Sequence, residues 1–346
     1  MSDTANPVIM VQLLKQFHNA KSGNQRIFKF TRNNTLRIHK ETDDEARSRK
    51  SVLPEKTSNL AENAIRSRLS EVLHGRLGKI WIEDSDRVKG LALNLQGSVG
   101  EGGYGTYPSG TRIPLPKGKK IRAFTYWEKV NDIDLSCFAL CNDGSRLEFS
   151  WRSMYCQQSN AVRFSGDQTD GYYGGSEFFD IDIDEFMKQY PNADYIVFCD
   201  NIYSNYGRIH FKDIEARAGF MNRDILDSGE VYEPKTVETS FRLTADGSFC
   251  YMFAIDLNTR EIVWLNTQVN GNHAIAGESD MNFLKDILET TNVFSVYDLL
   301  EMSGTIVSSR TEADVIVTNE LAYDSSGKNV IHLWDDDKFL GILQKP

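Results

Sequence analysis

Short strand-like segments recur from about residue 86 to residue 268, and this recurrence constrains the fold more than any other feature of the chain. Segments such as DIDLSCFAL, RLEFSW and SFCYMFAIDL alternate or run apolar over a few residues, and Asp-Gly or Asn-Asp-Gly turns lie between them. Many short strands separated by turns are typical of two packed sheets. We therefore expect a mainly β protein built around a β-sandwich.

Helical and mixed patterns flank this β region, and they predict three parts. Residues 1–57 form a basic extension with a helix, a hairpin (QRIFKFTRNNTLRIHK) and a charged linker. Residues 58–268 form the sandwich, led by an amphipathic helix and the strand KIWIED. Residues 269–346 form a small α/β region with the helices SDMNFLKDILETT and SVYDLLEMSG and the strands ADVIVTN and NVIHLW.

The charge of the chain is unevenly distributed. The net charge is −10, which argues against a nucleic-acid-binding protein as a whole. Residues 10–56 nevertheless hold 11 Lys and Arg against 5 Asp and Glu, leaving 28 against 44 elsewhere. This basic segment is the only candidate for nucleic acid. A basic segment on an acidic chain instead favours contacts with other proteins, including copies of the chain itself.

Three observations predict a cytoplasmic protein. No apolar run reaches the roughly 18 residues that a membrane span requires, and the first 20 residues lack a basic start followed by an apolar block. The 5 cysteines contain no CxxC pair, which is typical of a reduced protein rather than a disulfide framework.

Two acidic segments are candidates for metal binding. Asp167 and Glu177 bracket a glycine-rich loop (SGDQTDGYYGGSE), and glycine allows a loop to turn carbonyl oxygens inward. In NDIDLS, Asp132, Asp134 and Ser136 share one side of a predicted strand. Oxygen donors alone favour calcium or magnesium over zinc or copper. The alternative is that both segments are ordinary polar turns.

A third acidic pattern is interpreted as structural. Asp180, Asp182 and Asp184 alternate along one strand, which predicts a solvent-facing row of charge at the edge of a sheet. Asp184 is also the predicted N-cap of a short helix in EFMKQYP.

The chain lacks the motifs of common enzyme classes. It contains no HExxH, no GxSxG and no Walker sequence. We therefore predict that it is not an enzyme, although paired carboxylates in the acidic loops leave a metal-dependent hydrolase as an alternative.

The order of the acidic motifs resembles that of a known family. DIDLS at residues 132–136 is followed by SGDQ at 165–168, GGSE at 174–177 and an alternating strand. This arrangement is similar to the TerD-type domain of tellurium-resistance and stress-response proteins, in a longer bacterial variant. The resemblance extends over about residues 60–270.

The resemblance implies a TerD-type β-sandwich that binds Ca²⁺ through loops at one end. Carried over residue by residue, it implies the carboxylate ligands Asp132, Asp134, Asp167 and Glu177. The chain departs from the family pattern where Ser176 replaces an acid and Gln168 replaces Asn, so weaker binding is expected.

The function implied is that of a calcium-binding, non-enzymatic docking or scaffold protein linked to stress or tellurite resistance. A metal-free structural subunit of a larger assembly is the first alternative, and a metal-dependent hydrolase is the second.

Overall fold

The chain divides into two compact units. The computed structural model describes residues 6–19, 27–32, 35–40, 53–93, 95, 107–116, 118–143, 145–150, 159, 161–204, 208–223, 237–268, 284, 288, 293–320 and 327–344. We call Phe30–Ile38 with Ile113–Leu288 the sandwich unit, and Met1–Lys29, His39–Arg112 and Glu289–Pro346 the α/β unit.

The α/β unit is built on a four-stranded parallel sheet. Its strands are β3 (Gly78–Ile82), β15 (Gly304–Val307), β16 (Val315–Thr318) and β17 (Asn329–His332), in the order β15-β3-β16-β17. Its helices are α1 (Pro7–Asn19), α2 (Glu55–Leu73), α3 (Ser85–Gly90), α5 (Val296–Ser303) and α6 (Asp336–Gln344). Apolar stripes of these helices, such as Leu14 on α1 and Leu69 on α2, share one buried core with the sheet.

The sandwich unit contains a larger and a smaller sheet. The larger sheet contains β1 (Ile27–Arg32), β2 (Thr35–Lys40), β4 (Arg112–Pro114), β6 (Ile133–Cys141), β7 (Arg146–Phe149), β10 (Ala193–Ile202), β13 (Phe249–Asp256) and β14 (Glu261–Gln268). Its order is β1-β2-β14-β13-β10-β6-β7, and β4 pairs with β14. From β14 to β7 neighbouring strands are antiparallel, whereas β2 and β14 run parallel.

The smaller sheet has five strands in antiparallel pairs. They are β5 (Lys120–Glu128), β8 (Val162–Phe164), β9 (Gly175–Asp182), β11 (Glu215–Asn222) and β12 (Val237–Arg242), in the order β12-β11-β5-β9-β8. The short helix α4 (Ile183–Gln189) follows β9 directly.

Aromatic side chains join the two sheets face to face. Phe198 on β10 lies with its ring centroid 6.4 Å from that of Phe179 on β9 and 6.3 Å from that of Phe220 on β11. Phe220 in turn lies 4.6 Å from Phe253 on β13. All four side chains have no exposed surface. The mainly β fold predicted from the sequence is therefore confirmed, as two sheets packed on an aromatic core.

The predicted domain boundaries need correction. The leading helix (α2) and the strand in KIWIED (β3) were assigned to the 58–268 sandwich, but they belong to the α/β unit, where β3 pairs with β15 and β16. Residues 1–57 are not a separate extension either, because α1 packs in the α/β core while β2 extends the sandwich sheet beside β14. Parallel pairing joins segments far apart in sequence, which a local pattern does not report.

The smaller predicted elements have mixed outcomes. The helix in SVYDLLEMSG is α5, and its Ser295 and Asp298 form a reciprocal capping box. The helix in EFMKQYP is α4, but its N-cap is Asp182, which accepts from the Glu185 amide, and not Asp184. The tip of the N-terminal hairpin, and all but Leu284 and Leu288 of the helix predicted in SDMNFLKDILETT, lie outside the described residues.

The predicted solvent-facing row of aspartates is wrong for Asp180. Strand β9 lies between β5 and β8, so it is not an edge strand. Asp180 is 4% exposed and faces Arg122 across the β5–β9 pair. The alternating charges are typical of an exposed strand face. Asp180 can nevertheless be buried because its partner Arg122 lies on the neighbouring strand β5.

No helix in the described part of the chain is long and apolar enough to cross a membrane.

Candidate metal centre

The start of β6 and the loop before β9 carry the candidate ligands. Asp132 immediately precedes β6, and Asp134 is its second residue. Asp134 faces Asn201 on β10, which donates from Nδ2 to Asp134 Oδ2 at 3.3 Å. Asp167 lies in the loop between β8 and β9. Neighbouring strands of both sheets thus bring these side chains to one end of the sandwich unit.

The loop before β9 is fixed to the start of β6 by backbone hydrogen bonds. The amide of Gly171 donates to the Asn131 carbonyl at 2.7 Å, and the amide of Lys129 donates to the Tyr172 carbonyl at 2.8 Å. Because one bond runs in each direction, the loop and the residues before β6 are held in register. This contact places the residues after Asp167 beside Asp132.

Two glycines allow the loop to lie against a buried tryptophan. A Cβ added at Gly171 would stand 2.6 Å from Trp127 Nε1, and one at Gly175 would stand 2.3 Å from Trp127 Cε2. Trp127 has no exposed surface, so its ring cannot easily move aside. The glycines in GYYGG therefore serve close packing of the loop, which the sequence pattern alone described only as freedom to turn.

Glu177 connects the two segments that carry the candidate ligands. Its Oε2 accepts from the Leu135 amide and its Oε1 from the Gln168 amide, both at 2.9 Å. Gln168 completes the link, because its side-chain oxygen accepts from the Ser176 amide at 2.9 Å. With both oxygens engaged by backbone donors and 1% of its surface exposed, Glu177 positions β6 and the loop.

Three of the four predicted ligands converge. One carboxylate oxygen from each of Asp132, Asp134 and Asp167 lies within 4.8 Å of the other two. Glu177 is not in this group, so the structure gives the fourth predicted ligand a supporting position instead. Gln168 and Ser176, where the chain departs from the family pattern, hydrogen-bond to each other in that same support.

Asp132 has an unpartnered oxygen in this cluster. Its backbone is fixed, because its amide donates to Ser204 Oγ at 2.9 Å and its carbonyl accepts from the Tyr203 amide at 3.2 Å. Asp132 is 8% exposed, yet its Oδ1 is buried and has no hydrogen-bond partner among the described residues. A buried carboxylate oxygen without a donor is costly, so this atom indicates a missing positive group.

A further buried acid, Asp200, lies deeper, and sequence reasoning missed it. Asp200 on β10 has no exposed surface and accepts from Thr125 Oγ1 at 2.8 Å. The signal was available in FCDNIY, where Asp and Asn interrupt an otherwise apolar strand. A polar pair at the end of a buried strand is a reason to look for a site.

The pKa values of the buried acids in and below the cluster are raised, because no nearby positive charge in the described part of the chain offsets the cost of burying them. Burial, then Asp134 and Asp167, raises the pKa of Asp132 to about 7. Burial likewise raises the pKa of Asp134 to about 6 and that of Glu177 to about 9, the latter against the opposing effect of two amide donors. Burial also raises the pKa of Asp200. Within the described residues, the groups that shift these pKa values include no cation.

The α/β unit has an acidic crevice of its own, and the acids that line it have hydrogen-bond donors or cationic partners. It lies where β3 and β16 end and is lined by Glu83, Asp84, Ser85, Asp86, Arg87, Asn319 and Glu320. Its acids have donors: Glu83 accepts from Thr318 Oγ1 and the Asn319 amide, and hydrogen bonding by Thr318 is the main reason that the pKa of Glu83 is lowered.

The remaining acids of this crevice are also partnered. Asp84 accepts from the Arg87 amide, Asp86 pairs with Lys89 at 2.9 Å and Glu320 pairs with Arg310 at 3.5 Å. The ends of parallel strands are a common place for ligands, but these carboxylates do not require an added cation.

The fold and the cluster define a mainly β protein whose sandwich unit carries three converging carboxylates at one end. Comparison with models of known families, with curated proteins and with solved structures gave no match for this chain. The resemblance to TerD-type domains therefore stays a prediction from the motifs.

Proposed function

We propose that the sandwich unit binds a divalent cation, Ca²⁺, through Asp132, Asp134 and Asp167, and that the protein is a calcium-dependent binding protein rather than an enzyme. The observation that carries the proposal is the unpartnered, buried Oδ1 of Asp132 inside a cluster of acids. Bound Ca²⁺ would supply the positive charge that the described residues do not.

The donor set fits calcium better than softer metals. Each of the three ligands offers a carboxylate oxygen, and hard cations prefer such oxygens. Ca²⁺ takes about six to eight oxygens at flexible angles, so three carboxylates leave positions for carbonyls, water or a ligand. Mg²⁺ demands nearly ideal octahedral geometry, which suits a site made from two separate segments less well.

The docking or scaffold role follows from this chemistry and from the resemblance to TerD-type domains. Ca²⁺ would join the start of β6 to the loop before β9, so that this end of the sandwich becomes a fixed surface for a partner. The cytoplasmic location and the link to stress or tellurite resistance are part of the same proposal, and the motifs are their support.

The test is the melting temperature of the full chain with chelator and with millimolar Ca²⁺. A ligand at about 100 times its Kd stabilises the folded state by about 2.7 kcal/mol, which is a clear shift. We expect the shift in the wild type and its loss in the Asp134→Asn, Asp167→Asn double variant. Asp170→Asn is the matched control, because Asp170 lies exposed in the same loop outside the group of three.

The alternatives predict other results. A metal-free structural subunit would show no shift in the wild type at millimolar Ca²⁺, and that result would refute the proposal. A shift that persists in the double variant would place the ion elsewhere. A metal-dependent hydrolase would turn over an ester or phosphoester only when Asp134 and Asp167 are intact.

A further inference from the structure

We propose that the Ca²⁺ site holds a neutral, polyhydroxylated ligand, a sugar with vicinal hydroxyls, against the exposed tyrosines Tyr172, Tyr173 and Tyr203. This inference rests on the proposed function, because the cation is one of the two groups that would contact the sugar. It adds the chemical class of the ligand and the side chains that would select it.

The three carboxylates leave the coordination of Ca²⁺ incomplete. Three carboxylates converge, whereas Ca²⁺ takes about six to eight oxygens. Asp167 is exposed, so the cluster is open to solvent on its side. An open cation of this kind can exchange bound water for two adjacent hydroxyls of one ligand, which chelate it together.

Exposed tyrosines lie on the segments next to the cluster. Six large hydrophobic side chains are exposed among the described residues, and three of them are Tyr172 (47%), Tyr173 (95%) and Tyr203 (57%). The rings of Tyr172 and Tyr173 meet edge to face with centroids 5.1 Å apart. Exposed aromatic groups concentrated in one place indicate a binding surface more than scattered ones do.

Both tyrosine segments are attached to the backbone that carries the ligands. The Tyr203 amide donates to the Asp132 carbonyl at 3.2 Å, and the Tyr172 carbonyl accepts from the Lys129 amide at 2.8 Å. The backbone of both tyrosine segments is therefore held beside the residues that lead into β6. Tyrosine adds contact area at a low entropy cost, and its ring face suits the C–H surface of a sugar.

The charge around the site favours a neutral ligand over an anion. The three ligand carboxylates carry −3 against +2 for the ion. Asp170, exposed in the same loop, adds a further negative charge. A phosphate, a carboxylate or an anionic membrane surface would meet net negative charge, whereas hydroxyl groups would not.

The experiment is retention of the full chain on agarose beads that carry D-mannose, D-galactose, D-glucose or L-fucose, in millimolar Ca²⁺. We expect retention on at least one kind of bead, elution by EGTA and competition by the free sugar. Vesicles containing phosphatidylserine are the parallel probe, and we expect no binding to them.

The decisive variant is Tyr172→Ala with Tyr173→Ala. Since both side chains are exposed, it should keep the Ca²⁺-dependent melting shift while retention falls by about tenfold or more, which corresponds to about 1.4 kcal/mol. Met187→Ala is the control, because Met187 is 37% exposed on α4, beyond the opposite end of β9 from the site.

The failures are distinguishable. A wild type with a Ca²⁺ shift but no retention on any bead overturns the sugar inference and leaves the metal site intact. Retention that survives EGTA, binding to the vesicles alone, or an unchanged double tyrosine variant each overturns it as well. Absence of the Ca²⁺ shift itself refutes the proposed function instead.

Discussion

Strand β9 carries two buried acids three residues apart, and their environments are opposite. Asp180 faces Arg122, with Nε to Oδ1 at 2.6 Å and Nη2 to Oδ2 at 2.7 Å. The guanidinium also lies over the Phe178 ring, 3.4 Å from its centroid. The bidentate pair compensates this acid, and the aromatic face stabilises the guanidinium.

Glu177 belongs to the other environment. It points to the opposite side of β9, toward Asp134 and Asp167, whose charges help to raise its pKa. At the metal end of the sandwich, Glu177 accepts hydrogen bonds from uncharged backbone amides. Asp132 Oδ1 has no hydrogen-bond donor among the described residues. Burial of a single acid is therefore not by itself the sign of a binding site. The sign is burial of several acids without a cation to balance them.

Removal of the Asp180 carboxylate should have the largest effect on stability. Asp180→Ala removes the bidentate carboxylate partner of Arg122, whose side chain is 5% exposed. Breaking a buried pair in this way costs about 3–5 kcal/mol. Urea denaturation should report that loss equally with and without Ca²⁺, because this pair lies outside the metal cluster.

Asp184→Ala is the control for this comparison. Its pair with Arg260 has an N–O distance of 3.0 Å but is exposed, with 47% and 53% of the two side chains accessible. Exposed pairs contribute about 0–1 kcal/mol. A similarly small loss of unfolding free energy for Asp180→Ala would show that water easily replaces the carboxylate at Arg122. The contrast between a compensated Asp180 and an uncompensated Glu177 would then be wrong.

Asp180 also shows where sequence reasoning reached its limit. Alternation of Asp180, Asp182 and Asp184 is the ordinary pattern of a solvent face, and nothing near it in sequence names Arg122 as a partner. The pairing depends on the register of β5 against β9, which places the two residues opposite each other. Register between strands from distant segments is a tertiary property, so local pattern predicts the strands but not their partners.

The candidate site was more accessible to sequence reasoning than the domain boundaries. Acid and glycine in two separate segments pointed to Asp132, Asp134 and Asp167, which do converge. Glu177 was grouped with them because carboxylates look alike in sequence, while its backbone donors are visible only in the fold. The assignment of β3 failed for a related reason, since its partners β15 and β16 come after the whole sandwich.

A methyl group at position 175 should disturb the metal end by packing rather than charge. In Gly175→Ala, the new Cβ would meet the buried ring of Trp127, and the loop or the ring must shift. Overpacking of this kind costs about 1–3 kcal/mol. We also expect weaker Ca²⁺ binding by calorimetry, because the same loop carries Asp167. Gly341→Ala in α6, where nothing lies within 4 Å, should instead be neutral or slightly stabilising.

The two environments should also respond differently to pH. In the metal-free protein the pKa values of Asp132 and Asp134 rise from 3.8 to about 7 and about 6. The folded state then holds more protons than the unfolded state between those limits, so the free energy of unfolding falls as pH rises from about 4 to about 7. Thermal melts in EGTA should show a decrease of several degrees over this window.

Calcium should reverse that slope, because the ligands bind the ion only when deprotonated. With millimolar Ca²⁺ the melting temperature should rise with pH across the same window. The Asp132→Asn, Asp134→Asn double variant removes two of the acids whose pKa values are raised and should make both slopes shallower, whereas Asp184→Ala should leave both unchanged. The slope that remains in EGTA belongs to Glu177 and Asp200, whose pKa values are also raised. A wild type that is equally stable at both ends of the window in EGTA would contradict the uncompensated burial of these acids.

The smallest predicted effect concerns Asp200, the deepest acid. Asp200→Asn keeps the size of the side chain and an acceptor for Thr125 Oγ1, but it removes an acid whose ionisation is disfavoured by burial and by Asp134. Without Ca²⁺ at pH 8 we expect the variant to be as stable as the wild type or more stable by about 1 kcal/mol, since a buried polar group that keeps its hydrogen bond costs little. Thr125→Val completes a double-mutant cycle with Asp200→Asn. It should destabilise the wild type by about 1–3 kcal/mol and the Asp200→Asn variant by less. A loss above about 2 kcal/mol in Asp200→Asn alone would show that its negative charge is stabilised by a positive partner, as Asp180 is by Arg122, and the acids at the metal end would then be compensated after all.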